Sequence, residues 1–285
     1  MKKIRYFFEY IIVSLLFILF KFIGYQNSSN IGAKIGKIFG PIFRSKNIIK
    51  KNLEYAGIKN ETEQKKVIEE MWENYGRILA EYPFLKKFKT NELKKYITIE
   101  GQEYLSDIKS KNKKAVFVSG HFNNFELMAM QLENLGVDLA AIYRPLNNFL
   151  MNRKIEKIRI NHICKKQIKK GKSGSRDVLK YLKQGTSIAL MIDQRVSEGK
   201  KIKFFNHEAY TTTIPAQLIR KFGCDVIPVH IERNKRYHFN IKFFEPISFD
   251  KNKNIMQVTL ELNKILEKMI LKNPDQWIWT HNRWK

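Results

Sequence analysis

Apolar and polar positions divide this chain into an apolar start, a helical region and a region of mixed strands and helices. Apolar residues run almost unbroken from Tyr10 to Phe20, and over residues 61–86 they recur at helical spacing. From about Tyr96 onward, short β-branched and aromatic runs alternate with longer amphipathic stretches, which is typical of alternating strands and helices. The pattern predicts an α/β fold, a central mixed sheet flanked by helices, with an N-terminal membrane-anchor helix.

We expect three segments: a membrane-anchor helix at 1–25, a helical region packed on the core at 26–95, and an α/β core at 96–285. The apolar run lies between Glu9 and Lys21 and is shorter than the roughly 20 residues of a comfortable span. The anchor could therefore cross the bilayer or lie in its interface. A signal peptide is disfavoured because no small-residue cleavage pattern follows Ile23, and basic residues on both sides leave the orientation open.

Two helices are predicted in the second segment. A short helix over 31–43, lying along the membrane, contains Gly32, Gly36 and Gly40 at the spacing of a close-packing motif. Lys34 and Lys37 argue against a lipid-buried dimer face for it. The second helix runs over 61–86 and is interrupted near Pro83, with an apolar stripe that we expect in the core.

The third segment yields the remaining predicted elements. Strands are predicted over 97–100, 115–118, 138–143, 187–192, 201–205, 225–232 and 237–244. Helices are predicted over 102–109, 126–135, 147–172, 176–184, 215–223 and 255–271. The helix over 147–172 carries nine basic residues and one acidic residue, which fits a solvated face or an anion-binding surface equally well.

One stretch, Ala115 to Glu126, joins this pattern to candidate chemistry. It consists of a predicted buried strand, a turn that contains His121, and a helix that begins at Glu126. Strand ends of this kind are where α/β proteins bind their ligands. A carboxylate on one ring nitrogen would leave the other nitrogen free to take a proton from a hydroxyl. The stretch therefore makes His121 a candidate general base, with Glu126 as its carboxylate partner.

The same residues admit a purely structural interpretation. Asn123 and Glu126 have the spacing of a capping box, in which Glu126 would only close the start of the helix. Asn124 is an alternative N-cap residue. His121 could equally be an ordinary turn residue, so the spacing alone leaves both interpretations open.

Composition narrows the class of protein. The chain has 53 basic and 27 acidic residues, a formal net charge of +26, and such a surface attracts nucleic acid, acidic proteins or anionic lipid. Part of the lysine excess fits an AT-rich genome rather than a function. Cys164 and Cys224 are far apart and form no CxxC pair, which argues against a disulfide scaffold and suits a reducing compartment.

Several familiar motifs are absent from the sequence. No serine stands in a GxSxG elbow, and there is no GxxxxGK[ST] loop, no GxGxxG after a strand and no HExxH helix. The histidines are scattered singly, so no metal site is predicted. Nucleic-acid binding has only the charge in its favour.

Polar residues remain at the ends of successive predicted strands: His121, Glu126, Arg144 and Asp193. Arg144 could be a surface residue, and Asp193 could cap a turn. Their joint placement at one edge of a sheet, behind a membrane anchor, favours acyl transfer to a hydroxyl near a membrane.

Four segments of the sequence resemble the bacterial lipid A biosynthesis acyltransferases of the lysophospholipid acyltransferase superfamily. Gly120-His121-Phe122-Asn123-Asn124-Phe125-Glu126 is similar to the H-x4-[D/E] signature, and Tyr143-Arg144-Pro145-Leu146-Asn147-Asn148 to the YRP-x-x-N segment. Asp193-Gln194, Phe204-Phe205 and Thr211 to Ala216 follow the DQ…FF…T…PA order, and Gln276 to Lys285 is similar to the QWxWxHxRWK tail. With the N-terminal anchor, the likeness covers nearly the whole chain.

Two departures from the family pattern qualify the resemblance. Phe125 stands where Trp is usual, and Asn282 replaces a frequent Arg, which we expect to change contacts with the acceptor. The E-G-T-R phosphate-binding motif of glycerolipid acyltransferases is absent, which disfavours lysophosphatidate as the acceptor.

The resemblance implies a glycerol-3-phosphate acyltransferase-like fold and transfer of a fatty acyl group from acyl carrier protein to a hydroxyl of a lipid A precursor. In that reaction His121 is the general base and Glu126 orients it. Arg144, Asp193, Gln194 and Asn124 are expected to bind substrate or stabilise the oxyanion. No cofactor is expected, because acyl-acyl carrier protein is itself the co-substrate. No acyl-enzyme is expected, because the sequence shows no activated Ser or Cys.

The implied partners are acyl carrier protein, a phosphorylated glycolipid acceptor and a membrane, with no nucleic acid. The expected location is the cell inner membrane, with the catalytic part on the cytoplasmic face. Two alternatives remain open. One is an O-acyltransferase for a lysophospholipid or another glycolipid, and the other is a non-enzymatic basic protein that binds membranes or nucleic acid.

Overall fold

The computed structural model describes residues 2–110 and 113–285 and has the predicted α/β fold, with helices around a mixed central sheet. The helices are α1 (Lys2–Ile23), α2 (Tyr25–Phe39), α3 (Lys46–Tyr55), α4 (Glu61–Glu81), α5 (Leu85–Lys89), α6 (Ser106–Ser110), α7 (Glu126–Asn134), α8 (Phe149–His162), α9 (Lys172–Lys183), α10 (Ile214–Phe222) and α11 (Ile255–Lys272). The strands are β1 (Ile97–Glu100), β2 (Ala115–Ser119), β3 (Leu139–Tyr143), β4 (Lys166–Lys169), β5 (Ser187–Met191), β6 (Lys200–Phe204), β7 (His207–Thr211), β8 (Asp225–Asn234) and β9 (His238–Phe243).

The main sheet has the strand order β1-β9-β8-β2-β5-β3-β4, and β6 and β7 form a separate hairpin. Neighbouring strands of the main sheet are parallel except for β8 and β9, which pair antiparallel. Every residue of β2 is buried, as expected for a central strand of a sheet whose faces are covered by helices.

The carboxyl ends of β2, β3 and β5 lie at one edge of this sheet. β5 pairs with both neighbours, with Met191 opposite Ser119 of β2. The residues that follow these strands, His121, Arg144 and Asp193, are therefore delivered to the same edge, which is where open α/β sheets bind ligands.

The glycines of α2 pack against α4 within the chain. A Cβ on Gly76 would lie 1.8 Å from the carbonyl oxygen of Gly32, and a Cβ on Gly36 would lie 2.1 Å from that of Trp72. Only residues without a side chain allow the two backbones to approach so closely. The helix predicted over 31–43 in fact spans Tyr25–Phe39, and its glycines form this intramolecular contact.

The prediction of a single helix over 147–172 is wrong. α8 ends at His162, and Lys166–Lys169 form the edge strand β4, which pairs in parallel with β3. The apolar side chain of β4, Ile168, is buried in the core, so pairing and burial outweigh the helical pattern of the lysines.

The strand β7 is not predicted from the sequence pattern. Its pairing with β6 depends on a tight turn in which Phe205 and Asn206 have positive φ.

The other predicted elements are present, with their ends shifted by a few residues. Pro83 lies in a short 3-10 turn, Tyr82–Phe84, that interrupts the predicted second helix after Glu81. The N-terminal helices pack on the α/β region. For example, the Tyr25 hydroxyl donates to the carbonyl of Tyr237 at 2.8 Å, and Asn52 Nδ2 donates to that of Trp279 at 2.7 Å.

The helix α1 is long and apolar enough to cross a membrane, and it is the one such helix among the described residues. Its identity as a helix confirms the prediction from the apolar run.

Candidate active site

The predicted turn between β2 and α7 is tightly constrained. The Ser119 hydroxyl donates to the carbonyl of Val229 at 2.6 Å, which fixes the end of the strand. A Cβ on Gly120 would lie 2.9 Å from the Phe122 ring and 3.0 Å from Leu266, so the chain turns where a larger residue would not fit. The His121 side chain that emerges from this turn is 21% exposed. It therefore stands at the surface of the sheet edge rather than in the core.

The His121 ring is held by Asp193. Its Nδ1 lies 2.8 Å from Asp193 Oδ1, and its backbone N–H donates to Asp193 Oδ2 at 2.7 Å. Since a carboxylate only accepts hydrogen bonds, Nδ1 carries the proton and Nε2 of a neutral ring has a free lone pair. No described residue forms a hydrogen bond with that Nε2. The geometry is that of an oriented histidine whose second nitrogen is available as a base.

Asp193 is fully buried and is kept ionised by its neighbours. Burial by itself would raise the pKa of this carboxyl. The charge and hydrogen bonds of His121, together with the Trp277 indole N–H at 2.9 Å from Oδ2, instead hold the pKa below its ordinary value. Three N–H groups thus satisfy one buried carboxylate, which is how such a charge is tolerated in an interior.

Glu126 does not contact the His121 ring in the way that the spacing predicted. Its Oε1 accepts from Arg159 Nε at 2.8 Å, from Arg159 Nη2 at 2.5 Å and from the Tyr82 hydroxyl, and these are its hydrogen bonds among the described residues. Burial by itself would lower the pKa of Arg159. The Glu126 charge outweighs this effect, and the pKa of Arg159 is raised above its ordinary value. The reason for the difference from the prediction is geometric: Asp193 already occupies the Nδ1 side of the ring.

The capping-box interpretation is also not realised. The N-cap residue of α7 is Phe125, and no side chain caps the helix. Asn123 adopts a positive φ of 42° and donates to the carbonyl of Ile231 at 3.3 Å. The Phe125 ring instead makes an edge-to-face contact with His121, with ring centroids 4.7 Å apart. Phe125 therefore borders the His121 ring.

Asn124, predicted to contact substrate or oxyanion, is fully buried. Its Nδ2 donates to Glu81 Oε2 at 3.1 Å. Glu81 forms a two-pronged ion pair with Arg233, with distances of 2.6 and 3.1 Å. Asn124 therefore joins the turn that carries His121 to a buried charge network.

Arg144 and Gln194 lie at the predicted edge. Arg144 is exposed after β3, and Gln194 is half-buried directly after Asp193. The pKa of Lys170 is lowered, mainly by burial and also by the positive charge of Arg144, while Glu198 opposes the shift. Arg144 and Lys170 thus form a cationic surface beside the site.

The C-terminal residues brace the segment that carries Asp193. His281 Nε2 accepts from the backbone N–H of Arg195 at 2.9 Å. Burial lowers the pKa of His281 to about 4, so the ring is neutral and can accept this bond. Arg283, fully buried, donates to Tyr210 and Thr211 of β7 at 2.8 and 2.7 Å, and burial lowers its pKa to about 10. The tail is therefore part of the structural support of the site.

Sequence reasoning missed the contacts of Arg159, Tyr82 and Trp277. Arg159 was hidden among the many basic residues of the predicted long helix, and Tyr82 next to Pro83 resembled a helix end. Trp277 had a signal in the aromatic tail, but nothing local in the sequence connects it with Asp193, which lies 84 residues away.

Comparison with known proteins places the chain in a family. The family described as bacterial lipid A biosynthesis acyltransferase matches residues 1–285. A lipid A biosynthesis palmitoleoyltransferase of Escherichia coli is 28% identical over 264 residues, covering 90% of this chain and 84% of the relative. A lipid A biosynthesis lauroyltransferase of the same organism is 23% identical over 268 residues, with the same coverage.

A solved structure is also matched, at low similarity. It is a 1-acyl-sn-glycerophosphate acyltransferase from Thermotoga maritima, 15% identical, with a TM-score of 0.45 over 98% of this chain and 100% of that chain. The assignment rests instead on the family match along the whole sequence, which agrees with the four motif segments and the histidine site. This chain belongs to the bacterial lipid A biosynthesis acyltransferase family.

Proposed function

We propose that this enzyme transfers a fatty acyl group from acyl carrier protein to a hydroxyl of a phosphorylated lipid A precursor, with His121 as the general base. The observation that carries the proposal is the His121–Asp193 pair at the carboxyl edge of the sheet, with Nε2 free of other hydrogen bonds among the described residues. Family membership supplies the reaction class.

In the proposed reaction His121 Nε2 takes the proton of the acceptor hydroxyl as its oxygen attacks the thioester carbonyl. Collapse of the tetrahedral intermediate breaks the C–S bond, and the imidazolium returns the proton to the leaving thiol. Asp193 fixes the ring orientation and stabilises the imidazolium. Base catalysis of this kind contributes on the order of 10² to 10⁴ in rate. The transfer is direct, without an acyl-enzyme.

Glu126 is a positioning residue in this proposal. Its bonds to Arg159 and Tyr82 join the first turn of α7 to α8 and to the 3-10 turn after α4. Because the His121 turn leads directly into α7, this clamp limits how far the base can move. The side chain of Arg159 is only 12% exposed, so loss of Glu126 would leave a nearly buried cation without a partner.

Charge supports the choice of substrates. Acyl carrier protein is acidic and the acceptor is phosphorylated, and both would be attracted to a surface of formal charge +26. Arg144, with Lys170 beside it, is well placed to meet a phosphate at the sheet edge, because both follow strands that end there. The proposed location is the inner membrane, with the site on the cytoplasmic face, where acyl carrier protein is available.

The test is acyl transfer by purified protein in detergent, read by mass spectrometry. Acyl carrier protein thioesters of several chain lengths would be offered with a Kdo-bearing lipid A precursor and, separately, with lysophosphatidic acid. The wild type would be compared with His121→Ala and with His207→Ala, a control at an exposed histidine of β7. We expect one added acyl group on the lipid A precursor, lost only in His121→Ala.

Other outcomes would revise the proposal in defined ways. Transfer to lysophosphatidic acid alone would keep the base but change the acceptor class. Equal activity of His121→Ala and wild type would overturn the assignment of the base. No transfer to either acceptor from folded protein would favour the basic binding protein.

A further inference from the structure

The N-terminal helix α1 is docked along its length on the α/β region. Phe17 and Phe20 are buried, and the Phe17 ring stacks on Tyr82 with centroids 6.3 Å apart. Tyr6 and Tyr10, further toward the N-terminus, are partly covered. These positions share one face of the helix. From Tyr6 to Phe20 the docked part is about 21 Å long at the rise of an α-helix.

Polar contacts hold this face to α8. Asn148 Nδ2 donates to the carbonyl of Tyr6 at 2.9 Å and to Glu9 Oε2 at 3.0 Å. The Lys154 ammonium donates to Ser14 Oγ at 2.7 Å. The same ammonium lies over the Tyr10 and Phe17 rings, at 5.4 and 5.1 Å from their centroids. The middle of α1 is thus in contact with a charged group of the folded domain.

The opposite face of α1 is an exposed apolar stripe. Its members recur at intervals of three and four residues, and each is at least 37% exposed. They are Ile4, Phe7, Phe8, Ile11, Ile12, Leu15, Ile18, Leu19 and Phe22. So large a contiguous apolar surface marks an interaction site. Its occupant must be apolar and must tolerate the exposed basic residues Lys2, Lys3, Arg5 and Lys21 near the helix ends.

If α1 stays docked on α8 in this way, it cannot cross the bilayer without carrying polar groups of the folded domain into the lipid. A spanning α1 would place its middle in the hydrocarbon core, and the Lys154 ammonium and the Asn148 amide would be carried there with it. A charged side chain at the bilayer centre is unfavourable, because hydrocarbon cannot replace its hydration. A helix at the interface, by contrast, buries only one face, about 5–10 Å deep, with basic residues beside the headgroups.

We propose that α1 does not span the membrane but lies in the interface of one leaflet, with its stripe in lipid and its other face on α8. Anionic lipid is the occupant that fits both the apolar stripe and the basic ends. A second copy of this chain fits poorly, because each copy carries a formal charge of +26. The attachment is independent of the reaction proposed above.

Depth measurements test this arrangement. Single cysteines at three stripe positions, Phe8→Cys, Leu15→Cys and Phe22→Cys, would carry a fluorophore on full-length protein in phosphatidylglycerol–phosphatidylethanolamine vesicles. Nitroxides would be placed at shallow or deep positions of the lipid acyl chains. We expect equal loss of fluorescence at all three sites, greater with the shallow nitroxide. Strongest quenching of Leu15→Cys by the deep nitroxide, with shallow quenching at the other two, would overturn the proposal.

A topology measurement provides a second test with a matched pair. Lys3→Cys at the start of α1 and Lys180→Cys on α9 are both exposed. Cys164 and Cys224 are buried, and burial raises the pKa of their thiols to about 12 and about 11, which suppresses background reaction. A membrane-impermeant maleimide should label both new cysteines from the same side of sealed vesicles. Labelling from opposite sides would show a spanning helix.

Discussion

Asp193 contacts His121 through both carboxylate oxygens, one on the ring and one on the backbone N–H, although the two residues are 72 positions apart in the sequence. The double contact fixes the ring relative to its own backbone. The orientation of the His121 ring is therefore set by the segment that follows β5 and not by the helix that follows His121.

Replacing Asp193 by Asn should lower kcat by about 10²- to 10⁴-fold, because an amide neither fixes the Nδ1 proton nor stabilises an imidazolium. Glu126→Gln is the matched control, since an amide oxygen can still accept from Arg159 and Tyr82. We expect a much smaller loss for it and an unchanged pH profile of kcat. Steady-state kinetics of both variants measure these changes in kcat. Equal losses of kcat would show that Asp193 and Glu126 both support His121.

Arg144→Ala should raise KM for the phosphorylated acceptor by about ten- to a hundredfold while leaving most of kcat, because a charge-assisted hydrogen bond contributes roughly 1.5–3 kcal/mol. Lys264→Ala, at an exposed position of α11, is the control for a general loss of positive charge. With a dephosphorylated acceptor, the KM values of Arg144→Ala and the wild type should be the same. A fall in kcat at unchanged KM would place Arg144 at the oxyanion instead.

His230→Leu should make the protein less sensitive to acid. Burial lowers the pKa of His230 to about 4, with Lys272 adding to the shift and Glu232 opposing it. Below the ordinary pKa of about 6.5, the unfolded chain takes up a proton that the folded one refuses. Stability then falls by up to about 1.4 kcal/mol per pH unit until the folded pKa is reached. His281 acts in the same direction.

Urea unfolding at about pH 7 and about pH 5 measures this effect. The loss of stability between the two conditions should be smaller for His230→Leu than for the wild type, by the contribution of one histidine. An identical loss would mean that His230 is protonated in the folded protein.

Gly76→Ala should destabilise the protein by about 1–3 kcal/mol or more, because its Cβ would lie 1.8 Å from the Gly32 carbonyl oxygen and would force α2 and α4 apart. Lys34→Ala, on the exposed side of α2, should change the free energy of unfolding little. If denaturant titrations gave the same free energy of unfolding for both variants, the close contact between α2 and α4 would not contribute to stability.

The sequence was sufficient for the elements of the site that are local. β2, the turn with His121 and the start of α7 follow from one apolar run, a breaker and a helical pattern. The strand end that carries Asp193 was equally readable. The pairing of β2 with β5 was not, because register between distant strands is set by packing across the whole sheet.

In the sequence, Glu126 lies much closer to His121 than Asp193 does, and this favours Glu126 as the partner of the ring. Five residues of separation suggested a contact, yet side chains on a turn and on a helix point in directions that only the backbone path decides. The ion pair with Arg159 depends on the docking of α8 and was similarly invisible. The tail motif is recognisable in the sequence. That its Trp277, His281 and Arg283 support the site through hydrogen bonds to Asp193, Arg195 and Thr211 is visible only in the structure.

This bracing has a consequence for biosynthesis. Trp277 donates to Asp193, and His281 holds the backbone of Arg195. During translation the chain emerges N-terminus first, and earlier parts can begin to fold on the ribosome. The sheet edge cannot acquire its final arrangement until residue 281 has left the exit tunnel. A nascent chain that stalls before that point would lack the hydrogen bonds of Trp277 to Asp193 and of His281 to Arg195, so the segment after β5 would be left without its support.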